Sequence, residues 1–213
     1  IKSDKHKTQI NTLRTKLESG DKEFYDNFKK QLPAVTFSAT FNKKRTNENL
    51  KNYNPIIVID IDKLDKEQID LNFQQLKNDD YVISFWRSPS NKGYKGLVAI
   101  EYAIDNNEFA LDKLHKSAFK KLSDYFQNKY NIELDKSGSD ITRLCFLSFD
   151  NDIILKSEFK KFSIVNEDII VTSKQENDKS LILKFSSNKD ALYNHLGKNN
   201  PVDRKIMTDI IRN

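Results

Sequence analysis

Apolar residues in this chain come in short runs set between charged stretches, and the spacing within each run predicts the element it forms. Ile10, Leu13, Leu17, Phe24 and Phe28 recur at helical intervals in a segment otherwise rich in Lys, Asp and Glu, which predicts one or two amphipathic helices before residue 32. Gly20 is the expected break between them and Asp21 the expected N-cap of the second. Residues 32–41 read as a strand entered through Pro33, and residues 42–54 as a polar, basic loop. The sharpest signal comes next along the chain: Ile56, Ile57, Val58 and Ile59 run unbroken into Asp60-Ile61-Asp62. Such a branched apolar run marks a strand buried on both faces.

Ile69, Leu71, Phe73 and Leu76 predict a short helix within 65–77. Residues 81–86 and 97–100 read as two strands of a hairpin whose connection is unusually polar and basic. The clearest helix covers 107–130, with Phe109, Leu111, Leu114, Ala118, Leu122, Tyr125 and Phe126 as its apolar stripe. His115 lies in that pattern and reads as a packing or helix-surface histidine, because no second His, Cys or carboxylate stands at ligand spacing. The apolar run 144–149 ends at Asp150 and Asp152. Beyond it, Phe159, Phe162, Ile164 and Val165 suggest a closing strand or short helix, and 169–171 another strand. Residues 173–180 read as a linker, 181–185 as a last apolar run, and 188–213 as helical with a break from Gly197 to Pro201. The chain thus divides into a domain over 1–172 and a linker with helical tail over 173–213. Strands on either side of a polar hairpin, with a long helix after them, predict an α+β domain. Its central antiparallel sheet is expected to carry Asp60, Asp62 and the 88–95 hairpin on one open face.

Composition adds little to this picture but excludes several classes. At 213 residues the chain suits one large domain or one domain with an appendage. Its 36 Lys and Arg exceed its 31 Asp and Glu, a modest basic excess that suits a polyanionic partner and also arises in Lys/Asn-rich proteomes. Cys145 is the single cysteine, so no disulfide framework exists, and it reads as a small buried hydrophobe. No run approaches a membrane span and no signal peptide is visible, so a cytoplasmic location is expected. Ile stands at position 1, as a fragment of a longer protein would have it.

Four places carry candidate chemistry. Residues i and i+2 of a strand share a face, so Asp60 and Asp62 project together and repel unless a cation lies between them. Oxygen ligands of this kind suit Mg²⁺ or Mn²⁺ and not Zn²⁺. The plainer alternative is that Asp60 ends the strand and Asp62 caps the next segment. The hairpin connection offers Ser88, Ser90, Lys92, Gly93 and Lys95, the hydroxyls, ammonium groups and close backbone approach that a phosphate needs. It is not a P-loop, since the Gly-x-x-x-x-Gly-Lys-Ser/Thr spacing is absent, and a solvated hairpin is the alternative. Lys43, Lys44 and Arg45 make the 42–54 loop either a phosphate-contacting or a merely solvated one. A two-metal site lacks one further carboxylate, for which Asp135 and Asp140 are the candidates, with turn formation the alternative for both.

In this order, these segments resemble the archaeo-eukaryotic primase superfamily, in particular its branch of the VirE N-terminal-domain type. The residues carrying the resemblance are Asp60 and Asp62, the hairpin Ser88 to Lys95, and the block from Asp135 through Asp140-Ile141-Thr142-Arg143 to Asp150, with the entry segment Leu32 to Ser38 also similar. It covers roughly residues 30–160. The resemblance implies a primase-like catalytic fold, with a central antiparallel sheet like that of RNA-recognition motifs flanked by helices. It implies a primase-polymerase that adds nucleotides by a two-metal mechanism, in replication of a phage or mobile element. Asp60, Asp62 and Asp135 (Asp140 as alternate) would hold Mg²⁺ or Mn²⁺ and be catalytic. Ser88, Ser90, Lys92, Lys95 and Arg143 would hold the triphosphate, and Lys43, Lys44, Arg45 and Arg87 would contact nucleic acid. The implied partners are single-stranded DNA or a primer-template, NTPs or dNTPs, and a helicase domain in a longer protein. Many polymerase-active members have histidine where this chain has Lys95, and some carry a zinc-binding cluster that is missing here. A catalytically degenerate module that binds nucleic acid is therefore the second reading. A haloacid-dehalogenase-type phosphatase is a remote third, because Leu64 stands where that family wants Thr or Val. Loss of either Asp60 or Asp62 is expected to spare the fold, since the two acids repel each other.

Overall fold

The computed structural model describes residues 1–104 and 109–169. Of the expected strand at 169–171 only Ile169 is described, at the end of the 3₁₀ turn Asn166–Asp168, and the linker and the helical tail lie outside the described residues. Two helices open the chain, α1 (Lys7–Glu18) and α2 (Lys22–Lys29). Gly20 separates them at φ +87°, a left-handed conformation that glycine adopts without penalty, and the Asp21 side chain accepts from the Phe24 N–H at 3.1 Å.

The segment expected as one strand over 32–41 is two. β1 (Ala34–Val35) and β2 (Ala39–Phe41) belong to separate two-stranded ribbons. Side-chain hydroxyls divide them: Thr36 donates to the Ala39 carbonyl at 2.7 Å and Ser38 to the Ile56 carbonyl at 2.8 Å, replacing ladder bonds. The basic loop likewise ends in a strand, β3 (Leu50–Tyr53), antiparallel to β2.

The main sheet is built around β6 (Tyr94–Ala103), with β4 (Ile56–Ile61) antiparallel on one side and β5 (Val82–Arg87) antiparallel on the other. Between β4 and β5 runs α3 (Lys66–Asn78), opened by a reciprocal capping box of Asp65 and Gln68. After β6 comes α4 (Leu111–Tyr130), and then β7 (Cys145–Phe146), which pairs with β1. The short β8 (Ile154–Leu155) extends the sheet beyond β5. The last strand among the described residues, β9 (Phe162–Val165), pairs parallel with the far half of β6, which only a crossover such as that through α4 permits. Over the described residues the fold is thus α+β and mostly antiparallel, with one parallel pair that the local pattern could not announce. No helix among the described residues is long and apolar enough to cross a membrane.

Ile57, Ile59 and Ile61 of β4 face α3 and α4, in a core with Phe85, Val98, Ile100, Leu76, Leu122 and Phe126. Val58 and Asp60 face the other way. That second face is not open, contrary to expectation. Its apolar residues Val58 and Trp86 are covered by Cys145, Phe37 and Ile1, because leaving them in water would forfeit about 1.5–3 kcal/mol for each large side chain. Asp60 is therefore buried at 2% exposure among them.

Candidate active site

Strand register builds the centre of the site. Asp60 on β4 stands opposite Lys95 on β6, which stands opposite Trp86 on β5, so all three side chains share the second face of the sheet. The Lys95 ammonium donates to Asp60 Oδ2, with only 6% of the lysine side chain exposed. Arg143 donates to the same oxygen at 3.0 Å and lies 3.5 Å from Asp135 Oδ2. Asp60 Oδ1 is buried and has no hydrogen-bond partner, an arrangement that costs on the order of 1–3 kcal/mol unless something compensates.

Asp135 reaches Asp60 through the backbone. Its N–H donates to the Asp60 carbonyl at 2.9 Å, which docks the 3₁₀ turn Lys136–Ser139 on the free edge of β4. Its own Oδ1 accepts from the Ser137 N–H at 2.9 Å and hydroxyl at 2.8 Å. Burial raises the Asp135 carboxyl, but those bonds and the charges of Arg143 and Lys95 outweigh it and hold the group below the usual range. Asp62, one residue past the strand, is pushed up by burial and by the Asp60 charge. One carboxylate oxygen from each of Asp60, Asp62 and Asp135 lies within 4.8 Å of the others. A cleft of about 440 Å³ opens beside them, lined by Asp62, Lys63, Glu133, Leu134, Asp135 and Lys136. The donor set is all oxygen, and a buried oxygen lacks a partner, so the residues fit a hard divalent cation. Asp140 does not join them. Both its oxygens bond Thr142 at 2.8 Å, so it closes a turn.

The hairpin docks on the end of β4. Lys92 gives its carbonyl to the Leu64 N–H at 3.0 Å, and Ser88 N–H donates to Gly93 O at 2.9 Å. A Cβ on Gly93 would fall 1.9 Å from the Ile61 carbonyl oxygen, so only glycine allows this approach. Ser88 and Ser90 share a hydroxyl–hydroxyl bond of 2.9 Å, and the Lys92 side chain is exposed. Lys95, expected on phosphate, instead pairs with Asp60 because register sets it there. Arg87 is turned away from the carboxylates, since alternation sends it to the helix-covered side, where it lies 4.8 Å over the Tyr94 ring. It lines a different cavity of about 380 Å³ with Asp70, Phe73, Asp150 and Asp152. Lys43 and Lys44 are exposed, whereas Arg45 donates to the Thr142 carbonyl and ties its loop to the turn before Arg143.

Two residues of the site carry no local motif. Arg14 on α1 clamps the hairpin to the segment before Asp150, donating to Pro89 O at 3.3 Å and Ser88 O at 3.2 Å on the one and to Phe149 O at 2.9 Å on the other. Tyr25 on α2 hydrogen-bonds Ser90, and burial, with the Asp62 charge among the lesser causes, pushes its hydroxyl up to about 12. An arginine four residues after Ile10 and one after Leu13, on the apolar side of a helix, was the available signal for Arg14.

His115 supports the site from behind and is a fully buried packing residue. Its Nε2 bonds the Gly138 carbonyl at 3.2 Å, which requires a proton there and leaves Nδ1 to accept from the Tyr53 hydroxyl at 3.1 Å. Tyr53 in turn lies 2.7 Å from the Tyr102 hydroxyl. Burial pulls the imidazole below its ordinary value of 6.5, with the Gly138 bond opposing. The unfolded chain therefore binds the proton more tightly. Stability is complete above pH 6.5 and is lost as pH falls below it toward the folded-state value. Urea midpoints are expected to drop between pH 7.5 and 5.5, and to drop less in His115→Gln. Equal drops in both proteins would remove His115 as the cause.

Over residues 27–154, more than half of the chain, the sequence matches the family described as the BT4734-like N-terminal domain. The chain belongs to that family. No curated protein and no solved structure matches it significantly. The BT4734-like span runs from within α2 to the first residue of β8 and so includes Asp60, Asp62, Lys95, Asp135, Arg143 and the whole hairpin. Arg14 and Tyr25, which brace the hairpin, precede it.

Proposed function

We propose that this BT4734-like domain is a nucleotidyltransferase of the primase-polymerase kind, with a primase-like fold. It would add NTPs or dNTPs along single-stranded or primed DNA with Mg²⁺ or Mn²⁺ held by Asp60, Asp62 and Asp135. One observation carries the reading: three carboxylates from two distant segments converge, with a buried oxygen unpartnered, beside a glycine-tightened polar hairpin. A divalent ion bound there would neutralise charge as pyrophosphate leaves and lower the pKa of an attacking hydroxyl. The chain's own residues do the rest. Asp62 and Asp135 present ligand oxygens to the cleft, and Arg143 bridges Asp60 and Asp135 so that their spacing is fixed. Ser88, Ser90 and Lys92 offer donors to the phosphates. Lys43 and Lys44 supply salt-sensitive attraction to the template backbone. The same resemblance supports a place beside a helicase in replication of a phage or mobile element.

A specific observation favours a second reading, a nucleic-acid-binding module without catalysis: Lys95 and Arg143 already neutralise Asp60. The phosphatase reading is dropped, because it needs a parallel sheet around the Asp-x-Asp strand and β4 pairs antiparallel. The deciding experiment incubates the protein with primed and unprimed template, Mn²⁺ or Mg²⁺, and labelled NTPs or dNTPs. Extension products are expected. Salt-sensitive template binding with no product under any combination would establish the second reading.

A further inference from the structure

We propose that, before nucleotide binds, this site takes one divalent cation per chain, because the Lys95 ammonium occupies the place a second would take on Asp60. The inference rests on the reading of the three carboxylates as metal ligands. Asp60 has two oxygens in opposite conditions. Oδ2 is saturated by the Lys95 ammonium and by Arg143 at 3.0 Å, while Oδ1 is buried without a partner. A cation can therefore approach only the second of them.

Lys95 cannot easily vacate its position. The register Asp60↔Lys95↔Trp86 fixes its backbone, and its side chain lies on the covered face beside Val58 and Trp86. A lysine leaving that position would leave the buried Asp60 carboxylate with Arg143 as its one remaining partner, and removing a partner from a buried charge is strongly disfavoured. Its charge also acts on Asp62 and Asp135, so it serves all three carboxylates as a resident cation.

Charge balance gives the same count. Three carboxylates against Lys95 and Arg143 leave one negative charge. One divalent ion turns this into one positive charge, which an incoming triphosphate can offset. Two would leave three positive charges in a partly buried site, and on the cleft wall Lys63 and Lys136 outnumber Glu133, the one further acid that lines it.

The test is a Mn²⁺ titration of the intact chain, followed by calorimetry and by electron paramagnetic resonance, with wild type, Asp62→Asn, Lys95→Met and Lys95→Arg. One Mn²⁺ per chain is expected in wild type, weakened roughly tenfold or more in Asp62→Asn. Lys95→Met is expected to bind two, and Lys95→Arg, which keeps the charge, one. Two ions in wild type, none in wild type, or one in a folded Lys95→Met would each overturn the proposal. If Lys95→Met does not fold, the wild-type count still decides. One ion without extension product leaves the proposal standing and ends the polymerase reading, whereas two ions with product does the reverse.

Discussion

Asp62→Asn is expected to slow nucleotide addition by on the order of 10²–10³-fold or more while leaving the fold as stable as before. Asp62 stands past the end of β4, its side chain half in water, and burial and Asp60 together disfavour its charge. Removing that charge relieves repulsion in the free protein and, on the proposed function, takes away a ligand where negative charge builds up in the reaction. Asp60 behaves differently, and here the expectation that either acid could be lost without structural cost is corrected. It is the partner of a buried lysine and of Arg143, so Asp60→Ala leaves a cation enclosed at the sheet face. Breaking a buried pair from one side typically costs about 3–5 kcal/mol. The two variants therefore separate catalysis from folding. Extension rates and urea unfolding should show Asp62→Asn folded and inactive, and Asp60→Ala both inactive and destabilised. Wild-type extension by Asp62→Asn would remove Asp62 from the chemistry. Wild-type stability of Asp60→Ala would mean that Lys95 finds another partner.

What could be read from the chain was whatever is local. The branched run at 56–59 has one solution, a doubly buried strand, and β4 is that strand. Gly20 and Asp21 encode a helix break and a cap within a few residues, and both are found. The polar hairpin was legible because turn residues interrupt two apolar runs, although β6 starts three residues earlier than the pattern implied, as Tyr94, Lys95 and Gly96 are buried by neighbours and not by their own periodicity. Features that depend on pairing between distant segments were not legible. Lys95 advertised a charge, but only the β4–β6 register makes it the partner of Asp60. Asp135 and Asp140 looked alike in sequence, and a single backbone bond to Asp60 separates the one that enters the cluster from the one that closes a turn. The parallel pairing of β9 and the grip of Arg14 on the hairpin are of the same kind.

Asp79→Ala is expected to cost about 3–5 kcal/mol of stability, because it removes the acceptor of several enclosed donors at once. Nothing in the sequence marks this residue, which stands after α3 and before β5. Its side chain is fully enclosed. Oδ1 accepts from the N–H groups of Tyr81 at 2.9 Å and Val82 at 3.2 Å, which satisfies the donors that open β5. Oδ2 accepts from the hydroxyls of Tyr125 at 2.6 Å and Tyr130 at 2.8 Å on the last turns of α4, with the Lys129 ammonium 3.5 Å away. Its backbone carbonyl takes the Lys156 ammonium, which also reaches Leu76 O at 3.1 Å. One carboxylate thus ties together the end of α3, the start of β5 and the end of α4. Alanine leaves the Tyr81 and Val82 N–H groups without an acceptor, each worth about 1–3 kcal/mol when buried unpaired, and deprives two half-buried phenols of theirs at smaller cost. Asparagine should lose much less, because its carbonyl keeps the backbone donors and its amide can donate to the phenol oxygens. The site carboxylates lie at the opposite end of β4 and β5 from this cluster, so both variants, when folded, should bind Mn²⁺ as wild type does. Urea unfolding of the two variants measures the difference. An Asp79→Ala protein within about 1 kcal/mol of wild type would show that water reaches the vacated position and replaces the carboxylate.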